Sequence, residues 1–180
     1  MPIKIVFYPA ITLNGFIAKA DGDSAWVTEE DERLFAEEVA KAGCVIVGRK
    51  TFEQYRGIIY PIPGATTFVC ASQLNMGEHD KQRESPPEGV IYVGGDIETI
   101  VSRIHDAGFT NAVLSGGGET NGRFAEAQAI DEVFVSIYPF VFNEGLPVFG
   151  SRQIRMNLEL FATRRLDSGV VHNRYRVLRF

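Results

Sequence analysis

The chain has 180 residues, of which 45% are hydrophobic and 23% are charged, the composition of an ordinary globular protein of one domain. Its net charge of −5 excludes the broad basic surface that nucleic acids and anionic membranes attract, so any basic site must be local. The sequence has no apolar run of membrane-spanning length and starts without the features of a signal peptide. We therefore expect one cytoplasmic domain over residues 1–180, with no nucleic-acid or membrane partner.

Short apolar runs alternate with amphipathic stretches along the chain, which is the pattern of an α/β protein. In chain order, we predict strands at Ile3–Ala10, Cys44–Val47, Thr66–Ala71, Val90–Val93, Ala112–Leu114, Glu132–Ile137, Leu158–Arg165 and Val170–Arg179. We predict helices at Glu29–Ala42, Arg49–Tyr55, Ile97–Ala107 and Asn121–Ala127. The polar stretch 76–89 predicts a surface loop, and the turn at 167–169 predicts that the last two strands form an antiparallel hairpin. Such sheets bind ligands beyond the carboxyl ends of their strands, and three segments fall there.

The first segment is G-R-K-T at residues 48–51, which follows the strand C-V-I-V and opens a helix. Glycine permits a sharp turn, and the unpaired N–H groups of a helix start attract anions. Arg49 and Lys50 are unfavourable for the helix at this position, and a bound phosphate would explain them, with Thr51 as a further donor. The alternative is a solvated basic turn.

The second segment is S-G-G-G-E-T-N at residues 115–121, after the strand A-V-L. Three glycines leave no Cβ in the way, so a ligand such as pyrophosphate can approach the backbone, and Thr120 or Asn121 is predicted to cap the next helix. The segment matches neither G-x-G-x-x-G nor a P-loop. A tight turn without a ligand is the alternative.

The third segment, residues 10–31, runs through a loop rich in glycine and aspartate to Trp26 and then to Asp31. Helical spacing places Asp31 on the same face as Phe35. A carboxylate on this inward face is costly unless it is paired or contacts a ligand. The competing explanation is a capping box, because Thr28-x-x-Asp31 lets the carboxylate reach back to the helix start. Local sequence leaves both explanations open.

The other reactive side chains point to no further chemistry. Cys44 and Cys70 lie in apolar runs, which predicts buried free thiols. The three histidines are scattered, so we expect neither a bound metal nor a catalytic triad. They are His79, His105 and His172. The nucleophile motif G-x-S-x-G is absent from the sequence.

Taken together, the three segments resemble the dihydrofolate reductase-like superfamily, and most closely its branch that includes the reductase domain of bacterial riboflavin biosynthesis. T-L-N-G-F-I-A is similar to that family's S-L-D-G-x-I-A, and V-I-V-G-R-K-T-F-E to its G-R-x-T segment. L-S-G-G-G-E-T matches the glycine turn, and I-D-E-V-F-V-S-I-Y-P is similar to the branch's D-E-[IL] strand that ends in proline. The resemblance covers nearly the whole chain.

This resemblance implies an α/β fold of the dihydrofolate reductase-like type. The expected architecture is a three-layer sandwich with a mixed, mostly parallel sheet of about eight strands and an antiparallel C-terminal hairpin, flanked by helices. The cofactor NADPH would lie across the strand ends. The implied contacts to its phosphates are Gly48, Arg49, Lys50, Thr51, Ser72, Gly116, Gly117, Gly118, Glu119 and Thr120. The residues implied beside the nicotinamide are Ala10, Ile17 and Ala18. The implied substrate-binding residues are Asn14, Trp26, Asp31 and Phe35.

The resemblance also implies a reaction. It is hydride transfer from NADPH to a small heterocyclic or sugar-linked substrate, as in 5-amino-6-(5-phosphoribosylamino)uracil reductase, with Asp31 orienting the substrate or supplying a proton. The family and the apolar run Tyr138–Phe142 predict a homodimer. Asn14 stands where the branch usually has aspartate, and Glu144 lies where the branch tends to have a glycine pair and would repel a sugar phosphate. A pterin or dihydrofolate reductase and a non-catalytic NADPH-binding regulator are the alternatives.

Overall fold

The strands that the apolar runs predict form the centre of the molecule. The structure, a computed structural model, describes residues 3–71 and 86–179. The strands in these residues are β1 (Lys4–Phe7), β2 (Ala10–Thr12), β3 (Phe16–Ala18), β4 (Cys44–Gly48), β5 (Thr66–Ala71), β6 (Val90–Gly94), β7 (Asn111–Gly116), β8 (Glu132–Tyr138), β9 (Leu146–Pro147), β10 (Asn157–Arg165) and β11 (Val171–Leu178). The helices are α1 (Glu29–Ala42), α2 (Arg49–Tyr55), α3 (Ile97–Asp106) and α4 (Gly118–Glu126).

Within the described residues, the main sheet has the strand order β10-β11-β8-β1-β7-β4-β5-β6, and β2 also pairs with β8. The strands from β8 to β6 run parallel to their neighbours. The hairpin of β10 and β11 joins them in antiparallel orientation. Strands β3 and β9 form a separate small sheet. The predicted mixed sheet with an antiparallel C-terminal hairpin is confirmed.

Helices cover both faces of this sheet. Every residue of β4 is buried, as expected for a parallel strand between two layers of helices. Side chains alternate along β1, so that Ile5 and Phe7 pack in the cluster that contains α3 and α4, whereas Val6 packs with α1 and α2. The result is the three-layer sandwich that the resemblance implies.

The predicted strand Ile3–Ala10 is wrong as a single element. The chain forms β1 and then β2, with Tyr8 and Pro9 between them. Proline has no N–H to donate, so it interrupts the ladder of hydrogen bonds. As a result, β1 lies between β7 and β8, whereas β2 pairs along the far half of β8.

Helix α4 starts earlier than predicted. It begins at Gly118, and its N-cap is Gly117, which makes no side-chain capping bond. The prediction that Thr120 or Asn121 caps this helix is therefore wrong. Asn121 is buried inside the first turns and donates to the carbonyl of Val148 at 2.9 Å. Glycine has a low helix propensity, so the local sequence favours a later start, and tertiary packing overrides that preference.

Three smaller predictions can be placed on the fold. Cys44 and Cys70 are buried and free, as predicted, and burial raises the pKa of each thiol to about 12. Ser72 and residues 76–85 of the predicted loop lie outside the described residues. In the part of the chain that the structure describes, no helix is both long enough and apolar enough to cross a membrane.

Candidate functional site

A large cleft runs along the carboxyl edge of the parallel strands. Val47 at the end of β4 is in register with Gly116 at the end of β7, so the two following helices start side by side. The cleft has a volume of about 2500 Å³. Pockets for one small molecule usually measure about 300–1,000 Å³, so this cleft is large enough for two ligands next to each other.

Most of the predicted site residues line this cleft. They are Ala10, Ile17, Ala18, Asp31, Phe35, Gly48, Arg49, Lys50, Thr51, Gly117, Gly118, Glu119 and Thr120. Three other predicted residues do not line the cleft, which are Asn14, Trp26 and Gly116. Ser72 lies outside the described residues. The fold therefore brings residues of all three sequence segments to one cleft.

Asn14 and Trp26 make structural contacts instead of facing the cleft. The side chain of Asn14 donates to the carbonyl of Phe142 at 2.7 Å and accepts from Thr12 Oγ1 at 2.8 Å, which ties the turn after β2 to the segment after β8. Trp26 packs edge-on against the ring of Tyr138, with a centroid distance of 4.8 Å. It also stacks edge-on against Phe140. The predicted substrate contacts of Asn14 and Trp26 are therefore not supported by their positions.

The starts of α2 and α4 interlock through glycines. The N–H of Gly117 donates to Thr51 Oγ1 at 3.0 Å, and a Cβ on Gly117 would lie 2.7 Å from the same oxygen. A Cβ on Gly48 would collide with Thr120 Oγ1. Neither glycine has a positive φ, so it is the close approach of the two helix starts that excludes a side chain here.

The start of α4 also packs against the turn at residues 147–151. A Cβ on Gly118 would lie 2.6 Å from the carbonyl oxygen of Pro147. The carboxylate of Glu119 accepts from the N–H of Ser151 at 3.2 Å. Neither α2 nor α4 has a side-chain cap, so several N–H groups of their first turns have no partner within the helix. These two uncapped helix starts lie at one end of the cleft.

Basic side chains surround the two helix starts. Arg49 pairs with Glu53 at 2.9 Å, and Lys50 is exposed.

The sequence analysis missed two further cations that line the cleft. Arg123 donates to the carbonyl of Gly95 at 2.7 Å, and Arg152 pairs with Glu126 at 2.9 Å. No motif marks either arginine, because Arg123 lies inside α4 and Arg152 follows the turn at residues 147–151.

Asp31 lies at the other end of the cleft and is only 2% exposed. Its Oδ1 accepts from the hydroxyl of Tyr8 at 3.1 Å and from Ser136 Oγ at 2.7 Å. Its Oδ2 accepts from the hydroxyl of Tyr138 at 2.9 Å. Among the described residues, no lysine or arginine forms an ion pair with Asp31. Three hydroxyl donors therefore stabilise this buried carboxylate.

The capping-box explanation of Asp31 is wrong, because the Asp31 carboxylate does not accept from the N–H at the helix start. Thr28 does cap α1, because its Oγ1 accepts from the N–H of Asp31 at 3.4 Å. The N–H of Thr28, however, donates to the hydroxyl of Tyr138 at 3.0 Å and not to the Asp31 carboxylate. The carboxylate points away from the helix start, toward β8 and the cleft.

The groups around Asp31 are neutral at physiological pH. Burial and the Asp31 charge raise the pKa of the Tyr8 hydroxyl well above its usual range, and burial raises that of Tyr138 to about 12. His172 Nδ1 lies 2.9 Å from Ser136 Oγ. Because that hydroxyl donates to Asp31, the imidazole Nδ1–H is the donor to Ser136. Burial lowers the pKa of His172, which favours this neutral ring.

The sequence analysis missed the partners of Asp31. Ser136 and Tyr138 stand two residues apart on β8, so they share a face of the sheet. Both carry a hydroxyl in the apolar run that starts at Val133, which was the available signal. Their distance from Asp31 along the chain exceeds 100 residues, so local spacing does not connect them. Tyr8 and His172 reach the same network from other strand ends.

Comparison with known proteins identifies the family. The model of the RibD C-terminal domain matches residues 3–57 and 63–172. The chain belongs to this family. The uncharacterized protein YwjB of Bacillus subtilis is 27% identical over 175 residues, which cover 94% of this chain and 96% of YwjB. The resemblance to the riboflavin-biosynthesis branch is thereby confirmed.

Solved structures agree with the family in fold. A putative riboflavin biosynthesis protein from Shewanella sp. PV-4 superposes with a TM-score of 0.78 at 19% identity, covering 98% of this chain and 100% of that one. Dihydrofolate reductase from Enterococcus faecalis, complexed with NADP(H), superposes with a TM-score of 0.72 at 22% identity, covering 98% of this chain and 99% of that one. This member of the RibD C-terminal domain family therefore has the dihydrofolate reductase-like fold.

Proposed function

We propose that this chain is an NADPH-dependent reductase that reduces a small heterocyclic or sugar-linked substrate. The observation that carries the proposal is the pairing of two features in one cleft. Two uncapped helix starts with basic side chains meet at one end, and the buried carboxylate Asp31 lies at the other. Membership of the RibD C-terminal domain family supports a reductase.

The helix starts suit the phosphates of NADPH. Gly117, Gly118 and Thr120 line the cleft, and the N–H groups of the first turn of α4 at residues 118–120 would bind the pyrophosphate, because the N–H of Gly117 already donates to Thr51. The side chain of Glu119 is turned toward Ser151, which keeps its charge off that backbone. The fold is shared with a dihydrofolate reductase that was solved with NADP(H) bound.

The start of α2 would hold the 2′-phosphate. Arg49, Lys50 and Thr51 all line the cleft there. Thr51 Oγ1 accepts from the Gly117 N–H, so its own proton remains available for an anion. A guanidinium and a hydroxyl on one helix turn suit a phosphate monoester. Gly48 contributes by letting the two helix starts approach each other, and Gly116 is the glycine just before them at the end of β7.

Asp31 would act on the substrate. Bound NADPH would supply the hydride, and the side chains of Ala10, Ile17 and Ala18, which line the cleft, would border its ring. Asp31 Oδ1 already has two hydroxyl donors, whereas Oδ2 has one, so Oδ2 retains capacity for a substrate N–H. Reducing a C=N or C=O bond also consumes a proton from solvent, which would reach the substrate through Asp31 or through water held at its Oδ2.

The test is a calorimetric titration of the purified protein with NADPH and with NADH, followed by assays of NADPH oxidation. We expect NADPH to bind more tightly than NADH, since only NADPH carries the 2′-phosphate. Absence of binding by both cofactors would overturn the proposal. NADPH binding without turnover on any pyrimidine, pterin or carbonyl compound would instead support the non-catalytic regulator.

A pterin reductase is the second candidate, because the buried carboxylate on α1 has the chemistry to bind the N–H groups of a pterin. Dihydrofolate added to the protein with NADPH distinguishes the two candidates. Robust oxidation of NADPH would favour the pterin reductase, whereas turnover only with aminopyrimidine compounds would favour the riboflavin-type reaction.

A further inference from the structure

The C-terminal hairpin contains one buried histidine. Every residue of β10 is exposed, and His172 is the only buried residue of β11, at 2% exposed. Removing an imidazole from water is unfavourable unless its nitrogen atoms have hydrogen-bond partners. The contacts of His172 therefore indicate why a histidine is buried at this position.

Strand pairing connects His172 to Asp31 through one residue. His172 lies directly opposite Ser136 on the neighbouring strand β8, and opposite side chains of antiparallel strands share a face of the sheet. His172 Nδ1 lies 2.9 Å from Ser136 Oγ, and that hydroxyl donates to Oδ1 of Asp31 at 2.7 Å. All three side chains are at most 2% exposed. They form a buried histidine–serine–aspartate series of hydrogen bonds.

The single proton of the Ser136 hydroxyl fixes the direction of this series. A carboxylate only accepts, so the hydroxyl proton goes to Asp31, and His172 must use a proton on Nδ1 to bond with Ser136. If the ring had its proton on Nε2 instead, Nδ1 and Asp31 would compete for one hydroxyl proton. One of the two acceptors would then lose its bond.

Packing holds the imidazole ring next to Ser136. The ring lies 5.4 Å from the ring of Tyr8 and 6.4 Å from that of Phe134, measured between centroids. Nε2 of His172 is buried and has no hydrogen-bond partner among the described residues. The hydrogen bond to Ser136 is therefore the polar contact through which His172 affects the site.

Charged groups around the ring are paired with one another. The titratable and charged groups that act on His172 or contact it are Tyr8 after β1, Asp31 and Glu38 on α1, Arg164 on β10 and Arg174 on β11. Arg174 pairs with Glu38 at 3.1 Å, and Arg164 pairs with Glu30 at 3.3 Å. Burial has the largest influence on the ring and lowers the pKa of His172, which keeps the ring neutral near pH 7.

We propose that His172 is a positioning residue that acts on the reacting carboxylate through Ser136. Its Nδ1–H occupies the oxygen of Ser136 and directs the hydroxyl proton to Oδ1 of Asp31. Oδ2, which has one donor from Tyr138, is then the oxygen that meets the substrate. The inference rests on the proposed function, because that function assigns Asp31 to the substrate. The direction of the hydrogen bonds can be measured without any activity.

The first test uses the wild-type protein and nitrogen NMR of its histidine rings. Near neutral pH, we expect His172 to have a proton on Nδ1 and none on Nε2. The exposed His105 is the reference for a ring in exchange with solvent. A proton found only on Nε2 of His172 would overturn the inference.

The second test follows the titration of the Asp31 carboxyl carbon by NMR, assigned by comparison with Asp31→Asn. Losing a donor disfavours the charged form, so we expect Ser136→Ala to move the titration midpoint up by about 1–2 pH units, the size of a hydrogen bond to a charged group. His172→Phe should move it up by about half a pH unit, because each bond in a series strengthens the next by a fraction.

A conservative variant separates the hydrogen bond from packing and charge. His172→Asn places an uncharged amide beside Ser136, so it should restore the wild-type midpoint. His105→Phe is the control on α3 and should leave the midpoint unchanged. Urea denaturation measures the stability of each variant. A midpoint that moves equally in His172→Phe and His172→Asn, or in neither Ser136→Ala nor His172→Phe, would contradict the role of the Nδ1–H.

A double variant tests whether His172 acts only through Ser136. Ser136→Ala combined with His172→Phe should give the same midpoint as Ser136→Ala alone, whereas additive shifts would show a separate route and refute the inference. In the enzyme, the pH profile of NADPH oxidation should move by the same amounts, with NADPH affinity unchanged. If the NMR results are as expected but NADPH does not bind, the proposed function is wrong and the histidine–serine–aspartate series stands.

Discussion

The two ends of the cleft are built in different ways. At the end formed by α2 and α4, backbone groups of two short segments meet directly, and glycines at 48 and 117 make the approach possible. At the Asp31 end, one carboxylate on α1 is held by side chains from β8 and from the link after β1. The first end, here called the backbone cradle, requires that residues 48 and 117 have no side chain. The second end is a hydrogen-bond network, which requires the donor side chains around Asp31. A substitution at one end should therefore leave the other end's function intact.

The largest expected effect separates turnover from cofactor binding. Asp31→Asn removes the acid and the charge but keeps the size of the side chain. We expect turnover to fall about 100-fold or more, the usual contribution of a general acid or base, with NADPH affinity unchanged. Steady-state NADPH oxidation and calorimetric titration measure the two quantities. Asp106→Asn, on the exposed end of α3, is the control. Unchanged turnover and an unchanged pH profile in Asp31→Asn would refute its role.

The next effect concerns the choice of cofactor at the α2 start. Arg49→Ala should weaken NADPH binding by ~1.5–3 kcal/mol, the range for a charge-assisted hydrogen bond, and leave NADH binding almost unchanged. Titration of each cofactor into the variant measures both values. Arg103→Ala, on the exposed face of α3, should change neither. Equal losses for the two cofactors would show that Arg49 does not contact the 2′-phosphate.

A third substitution tests whether the backbone cradle requires a residue without a side chain at position 48. Gly48→Ala places a Cβ against Thr120 Oγ1, so we expect a loss of about 1–3 kcal/mol in the free energy of unfolding. Adding Thr120→Ala removes the colliding oxygen and should restore most of that loss. Urea denaturation of the two single variants and the double variant gives the coupling. Simple additivity would mean that the two helix starts do not depend on this contact.

The smallest effect tests the network at the Asp31 end through pH. Burial lowers the pKa of His172 in the folded protein, so below about pH 6.5 the unfolded chain binds more protons than the folded chain. The contribution of the neutral His172 ring to the free energy of unfolding is therefore fully present above about pH 6.5, and it is lost as the pH falls. The charged groups that act on the ring are Asp31, Arg174, Glu38 and Arg164.

Replacing this histidine should make stability less sensitive to acid. Urea denaturation across the acidic range should show a shallower decline for His172→Gln than for the wild-type protein. His105→Gln, at the exposed end of α3, serves as the control and should follow the wild-type curve. An identical pH dependence in all three proteins would mean that His172 does not titrate differently on folding.

Local signals predicted the helices and most of the strands among the described residues, and they drew attention to two glycine-rich segments that line the cleft. The strand C-V-I-V and the glycine turn after A-V-L are each a continuous stretch of sequence. Their role depends on backbone groups, so the sequence alone locates them. The break at Tyr8 and Pro9 and the early start of α4 were mispredicted. In both places, pairing or packing with distant strands decides where an element begins or ends.

By itself, the sequence determined the α/β class, the order of the strands along the chain and the glycine-rich helix starts, because these depend on residues that are neighbours. Only the tertiary structure decided what Asp31 contacts. Its partners Ser136 and Tyr138 lie more than 100 residues away, and they meet it because β8 pairs beside β1 and β2. The tertiary structure also decided that Asn14 and Trp26 make packing contacts. Hydrogen bonds and burial act between atoms that are close in space, and the fold determines that closeness.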